Sequence, residues 1–164
     1  NIWVSNDMQR DIDGRVRIIV EDMEGNQMFA FSEKADVKAN SCYRLPNKVN
    51  INTLNKKKSE CYARIIFMED DTILSERIHF FTYPKDLELI ETEINPNINF
   101  KDGKYHIEFT TDTFVKDLYI EASVPGDFSK NFFDVVPNVT QTVVFEPEDK
   151  NKKDVKFKFK MYNR

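Results

Sequence analysis

The feature that most constrains this chain is a period of two. In segment after segment, apolar side chains fall at every second residue, and turn-forming residues interrupt the runs every 8–12 positions or so. The clearest case is the last, where Val155, Phe157, Phe159 and Met161 interleave with Lys156, Lys158 and Lys160. A period of two places one set of side chains on each face of an extended strand, whereas a helix would need apolar residues three and four apart. No long segment has the helical period, so the expected fold class is all-β.

The same pattern recurs along the chain. Ile2–Asn6 alternates and ends in a turn. Asp13-Gly14 supplies the next turn before Arg15–Asp22, in which Val16, Ile18 and Val20 share one face. Glu24-Gly25-Asn26 reverses the chain into the run Gln27–Phe31, and Ala35, Val37 and Ala39 point inward from a further one. Asn40–Leu54, with Tyr43, Leu45, Val49, Ile51 and Leu54 scattered among Asn and Pro, reads as a crossing connection plus a short strand. Cys61–Met68 is a strand with Cys61, Ala63, Ile65 and Phe67 inside, paired through the turn Glu69-Asp70-Asp71 with Thr72–Tyr83. Tyr83-Pro84-Lys85-Asp86 then breaks the run, because proline lacks a ladder donor. Two domains are therefore expected, 1–85 and 86–164, each an immunoglobulin-like β-sandwich.

The second half starts at Leu87–Ile90, turns at Asp102-Gly103 into Tyr105–Thr110, and continues with Leu118, Ile120, Ala122 and Val124 on one face until Pro125-Gly126. Phe128–Phe145 comes next, with four aromatics and five valines in eighteen residues. Phe128–Asn131 reads as a corner, Phe132–Val136 as extended, Pro137-Asn138 as a turn and Thr140–Phe145 as a strand. Phe132 and Phe133 are neighbours in an extended run, so they point to opposite faces: one fills the core, the other meets a loop or the neighbouring domain. The lysines of the terminal strand suit an edge protected against pairing with other chains.

Composition narrows the chemistry. A net charge of −4 opposes a nucleic-acid or anionic-membrane surface, and the lysine runs 56–58 and 150–153 lie among polar loop residues. No apolar run is long enough to span a bilayer and no signal peptide is evident. The chain begins with Asn1 rather than Met, so a fragment of a longer protein is expected. Cys42 and Cys61 are too few for a disulfide framework, and Cys61, in phase with the inner face, reads as a buried thiol rather than a bridge to Cys42. His79 and His106 each sit out of phase with the apolar face of a strand and read as solvent-facing. No nucleophile elbow marks a serine and no glycine-rich phosphate loop exists. The carboxylates at Glu69-Asp70-Asp71, Glu146 and Glu148-Asp149 lie in turn-like sequence, where they are expected for solubility rather than for glycoside hydrolysis or calcium. No catalytic residue, cofactor or metal is expected. Asn138-Val139-Thr140 is a glycosylation sequon to which no function is attached.

Sugar binding is the sharper possibility, since aromatic rings on a strand face or loop rim stack against the apolar face of a pyranose. The candidates are Trp3, Tyr43, Tyr62, Tyr83 and Tyr119. Tyr62 and Tyr119 are out of phase with the buried faces of their strands and are either exposed or covered by another domain. Core or interdomain packing is the competing role for these rings.

The Phe128–Phe145 stretch resembles the signature of the C-terminal immunoglobulin-like domain of β-mannosidases, a Phe-Ser-Asp-Asn-x-Phe-Asp-Leu-Leu-Pro-Gly-Glu run followed by a Thr/Val-rich strand. Phe128, Ser129, Asn131, Phe133, Asp134 and Pro137 match in place, and Val135-Val136 stand for the two leucines. Lys130 replaces the acid, and Asn138-Val139 replace Gly-Glu. Trp3–Asp7, Val37–Ser41 and Phe80–Leu87 are similar to the preceding mannosidase Ig/carbohydrate-binding-like domain. The resemblance implies a retaining exo-glycosidase as parent, with two catalytic glutamates on a (β/α)₈ barrel upstream and a periplasmic or secreted setting. None of the barrel's motifs occurs here, so no catalytic residue carries over. The implied role is an accessory pair of sandwiches against that barrel. A carbohydrate-binding module for mannose-containing glycans and a cell-surface immunoglobulin tandem are the alternatives.

Overall fold

The computed structural model describes residues 2–46 and 57–163. It is all-β, with two consecutive immunoglobulin-like domains. The chain divides into two compact units, the first comprising Asn1–Asp22 and Asn26–Glu88, the second Leu89–Arg164 together with Met23–Gly25.

In the first unit, β1 (Trp3–Asn6) pairs with β4 (Ser41–Arg44). β2 (Ile12–Asp22), β3 (Gln27–Val37), β5 (Cys61–Glu69) and β6 (Thr72–Phe80) form an antiparallel sheet in the order β3-β2-β5-β6. The alternation in β2 buries Val16 and Ile18 against Ala35, Val37 and Phe67, and Val4 and Leu45 close the cluster from β1 and the end of β4. Asn6 ties β1 in place: its buried side chain donates to the carbonyls of Arg10, Val37 and Lys38, while its oxygen accepts from the amide of Met8.

Several details differ from the sequence reading. Asp13-Gly14 is not a turn but lies within β2, both residues paired with β3 and Gly14 with β5 as well. Glycine is required there by packing, since a Cβ would lie 2.4 Å from the Phe67 ring. The run Gln27–Phe31 and the first part of Ala35–Ala39 join in the single strand β3, which ends at Val37. Both cysteines are free thiols, Cys61 buried and Cys42 exposed. Val49, Ile51, Leu54 and Lys56 lie outside the described residues.

The second unit holds a four-stranded sheet, in the order Gly126–Phe128, Gln141–Pro147, Lys104–Phe109, Asn97–Lys101, and a three-stranded one, in the order Phe133–Val135, Val115–Ala122, Phe157–Lys160. The strands are β7 (Asn97–Lys101), β8 (Lys104–Phe109), β9 (Val115–Ala122), β10 (Gly126–Phe128), β11 (Phe133–Val135), β12 (Gln141–Pro147) and β13 (Phe157–Lys160). Aromatic side chains link the sheets edge to face. Phe109 of β8 meets Phe133 of β11 and Phe159 of β13 at 6.2 and 5.7 Å between ring centres, and Phe145 of β12 meets Phe157 of β13 at 5.5 Å. Around them Ile107, Leu118, Ile120, Val135 and Val143 are fully buried. The Tyr105 hydroxyl spans the gap, donating to the Lys152 carbonyl at 2.8 Å and accepting from the Val155 amide at 3.3 Å.

Leu87–Ile90 starts no strand, contrary to the alternation reading. Leu87 and Leu89 are half-buried, as the pattern requires, but residues 87–96 form no ladder. The β9 run does stop before Pro125, its last strand residue being Ala122, and Gly126 opens the new strand β10, where a Cβ would strike the Phe145 ring at 2.5 Å. Beyond β13, Asn163 is buried and closes the unit. Its oxygen accepts from the Lys116 amide, and its nitrogen donates to the carbonyls of Ile90 and Phe114.

Surface ion pairs set the response to acid. Bonds from Lys38, Lys34, Arg10 and Lys104 hold the carboxyls of Asp11, Asp13, Glu69 and Glu146, respectively, below the usual carboxylate range. With the folded pKa depressed, the stabilisation is complete above the ordinary carboxylate range and disappears as pH falls through the folded values. The unfolding midpoint is therefore expected to hold from neutrality to about pH 5 and to fall below about pH 4. Because the pairs are exposed, about 0.5–1 M salt should shrink the slope. A midpoint that rises on acidification would contradict these assignments.

Candidate functional site

The Phe128–Phe145 stretch is built from side chains that replace missing backbone partners. Phe128 lies opposite Phe145 in the β10–β12 ladder, their rings 4.6 Å apart. One residue on, Ser129 extends the pairing. Its amide donates to the Val144 carbonyl at 2.8 Å and its hydroxyl accepts from the Val144 amide at 2.9 Å. The chain then leaves β12 and crosses to the other sheet.

Asn131 makes the crossing. Its Oδ1 accepts from the Ile120 amide at 2.9 Å and its Nδ2 donates to the Ile120 carbonyl at 2.8 Å. A side-chain amide thus satisfies both backbone groups of a β9 residue, as a paired strand would. The same oxygen accepts from the Phe132 amide at 2.9 Å. β11 then pairs with β9 at Phe133↔Leu118, and the register slips before Val135↔Val115. Asp117, with φ of 53°, sits in this bulge. Asp134 repairs it: its Oδ1 accepts from the Asp117 amide at 3.0 Å and from Lys116 Nζ at 3.2 Å. Burial alone would depress the Lys116 ammonium, but its bond to Asp117 and the charge of Asp134 together keep it above its ordinary value. Asn131 and Asp134 are therefore joints between strands, not a substrate-facing acid and amide.

The two departures from the β-mannosidase pattern have structural explanations. Lys130 lies 4.4 Å from the Phe133 ring centre and donates to Gln141 Oε1 at 2.6 Å, while Gln141 Nε2 donates to the Asp134 carbonyl. Partial burial lowers its pKa. Asn138 takes the place of the pattern's glycine with φ of 59°, and asparagine is among the side chains that best tolerate this left-handed region. Its amide donates to the Thr111 carbonyl at 2.8 Å.

The candidate stretch does bring one pair of rings to the surface. Phe133 packs against the core, whereas Phe132 points out, 65% exposed. It meets solvent rather than a loop. Tyr119, 38% exposed, lies beside it with the ring centres 6.3 Å apart and the planes at 62°. The other proposed platforms fare differently. Tyr62 is fully buried and its hydroxyl donates to Glu21 at 2.8 Å, so it has no face for a sugar, and burial drives its pKa far up. Its neighbour Arg64 explains the surroundings, pairing with Glu76 at 2.7 Å and Glu21 at 3.6 Å on the same face. Tyr43 is half-buried against the first core. Trp3 is exposed, but the Arg44 guanidinium covers its ring at 5.8 Å. Tyr83 is exposed beside the 3₁₀ turn Pro84–Asp86.

The polar groups weighed for chemistry are dispersed. Glu69 is held by Arg10 in a two-pronged pair. Glu146 is not in a turn but in β12, between Lys104 and Lys150. His79 is exposed, edge to face with Phe81. Among the described residues no three His, Cys, Asp or Glu side chains converge as metal ligands.

Residues 1–86 match the mannosidase Ig/CBM-like domain family, and residues 89–163 match an Ig-fold domain family of mannosidases. The chain belongs to these families of accessory domains of β-mannosidase-type glycoside hydrolases. The fold is shared with the β-D-mannosidase of Dictyoglomus thermophilum, at a TM-score of 0.76 and 15% identity over 98% of this chain and 20% of that one. It is shared too with the exo-chitosanase CsxA of Amycolatopsis orientalis, at a TM-score of 0.67 and 8% identity over 98% of this chain and 24% of that one. The chain thus spans about a fifth to a quarter of the length of these enzymes. No curated protein sequence matches it.

The orientation of the adjacent phenylalanines is testable by substitution. Phe133→Ala is expected to destabilise the chain by about 2–4 kcal/mol, somewhat less than a fully buried ring. Phe132→Ala should stay within about 0.5 kcal/mol of the parent. Denaturant unfolding of both variants measures the difference, and equal losses would contradict the arrangement.

Proposed function

We propose that this chain is a non-catalytic accessory part of a β-mannosidase-like glycoside hydrolase, with 1–85 and 86–164 as its two modules, and that it buttresses the catalytic barrel of the same polypeptide. The observation that carries this reading is the pair of family matches, in this order, over nearly the whole chain. The local chemistry agrees with a supporting role. The residues of the most distinctive stretch are occupied in holding strands together, and two of the carboxylates weighed for catalysis, Glu69 and Glu146, are engaged by Arg10 and Lys104. A glycosidase acid and nucleophile need two carboxyls facing one another across a cleft, about 5–10 Å apart and free to reach the sugar.

The test is a comparison of the longer polypeptide carrying this chain with a version lacking it. Truncation is expected to lower the melting temperature of what remains and to reduce hydrolysis of an aryl β-mannoside by about tenfold or more, roughly 1.4 kcal/mol. A truncated enzyme with unchanged melting and unchanged activity would refute the buttressing role.

A further inference from the structure

We propose that Phe132 and Tyr119 form a surface subsite for one pyranose ring of a neutral oligosaccharide, a binding role that goes beyond structural support. Phe132 does not fill the core, yet it occupies a backbone position with φ of 58° that disfavours any side chain with a Cβ. Glycine would be the low-strain residue there. A bulky aromatic that is both strained and exposed calls for a role in what it touches. The ring is presented by a fixed support, since Asn131 bonds the Phe132 amide with the same oxygen that holds Ile120 of β9. Tyr119 projects from the next-door position on β9 and sets its ring at 62° to that of Phe132. Together the rings make a two-walled apolar corner.

Size and rim indicate the occupant. The exposed portions of the two rings amount to roughly 200 Å². A stable protein interface takes about 800 Å² from each partner. A single sugar ring, with an apolar C–H face and hydroxyls around its edge, matches the smaller figure. The rim is polar: Lys160 lies opposite Tyr119 in the β9–β13 ladder and bonds Glu121, and Lys158 lies opposite Glu121. These groups can exchange hydrogen bonds with sugar hydroxyls, and their mixed signs favour a neutral ligand. Trp3 is less suited despite its exposure, because Arg44 already occupies its ring face.

The subsite is tested with the whole chain and β-1,4-linked mannohexaose, followed by NMR of the aromatic side chains up to about 10 mM ligand. Saturable shifts confined to Phe132 and Tyr119, with affinity weakened about tenfold or more in Phe132→Ala and Tyr119→Ala, are expected. Phe132→Gly separates binding from folding: it should abolish the response while leaving the unfolding midpoint unchanged or higher. No shift at these rings, binding that survives both alanine variants, or clear destabilisation by Phe132→Gly would each overturn the proposal. None of these outcomes depends on whether the chain supports a catalytic barrel, which the truncation experiment reads separately.

Discussion

The second sandwich depends on one side-chain amide. Asn131 sits where the chain has left β12 and not yet joined β9, and there the backbone of Ile120 would lack a partner. Its oxygen and nitrogen take up both Ile120 groups. A buried N–H and C=O left open would cost about 1–3 kcal/mol each. Aspartate offers no donor and serine cannot bridge both groups, so the residue type follows from the task. Satisfying Ile120 lets its side chain remain fully buried beside Leu118, and that places the β9 face against the aromatic cluster of the opposite sheet.

The rest of the stretch performs related work. Ser129 prolongs the β12 pairing, Asp134 caps the bulge at Asp117, and Gln141 links the Asp134 carbonyl to Lys130. A crossing between sheets interrupts the ladder at every step, and each interruption is met by a side chain with the right donors and acceptors. The polar residues that give this segment its distinctive sequence are therefore committed to the fold. What is left over is the outward ring of Phe132, strained and unburied, next to Tyr119.

Periodicity made most of the strands legible, because a half-buried strand imposes its alternation directly: Val16 with Ile18, Val143 with Phe145, and Phe157 with Phe159 all point as the pattern indicates. Where glycine was involved, the pattern misled. Asp13-Gly14 looks like a turn, but the glycine makes room for Phe67 in a continuous strand, a cause that lies 53 residues away and leaves no local trace. Leu87–Ile90 has the alternation of a strand without a partner to pair with, and pairing is a property of two segments rather than one. Tyr62 is out of phase with the alternating inner face of β5 yet fully buried, because β5 is covered on both faces, at Ile66 as well as Phe67. The signature was visible as a pattern, but the Asn131–Ile120 exchange was not, since it joins positions eleven residues apart through a side chain. Of the two surface rings, Tyr119 is placed off the buried face by its phase alone, while the exposure of Phe132 rather than Phe133 required the register of β11.

The sequence signature of the second domain is thus a device for crossing between sheets. The most direct measurement is amide hydrogen exchange at Ile120 in the parent chain and in Asn131→Ala. The account predicts that Ile120 is protected in the parent and exchanges about tenfold or more faster in the variant, with Ile107 in the β8–β12 ladder less affected. Protection of Ile120 that survives the loss of the amide would show that another group holds β9, and the central role given to Asn131 would be wrong.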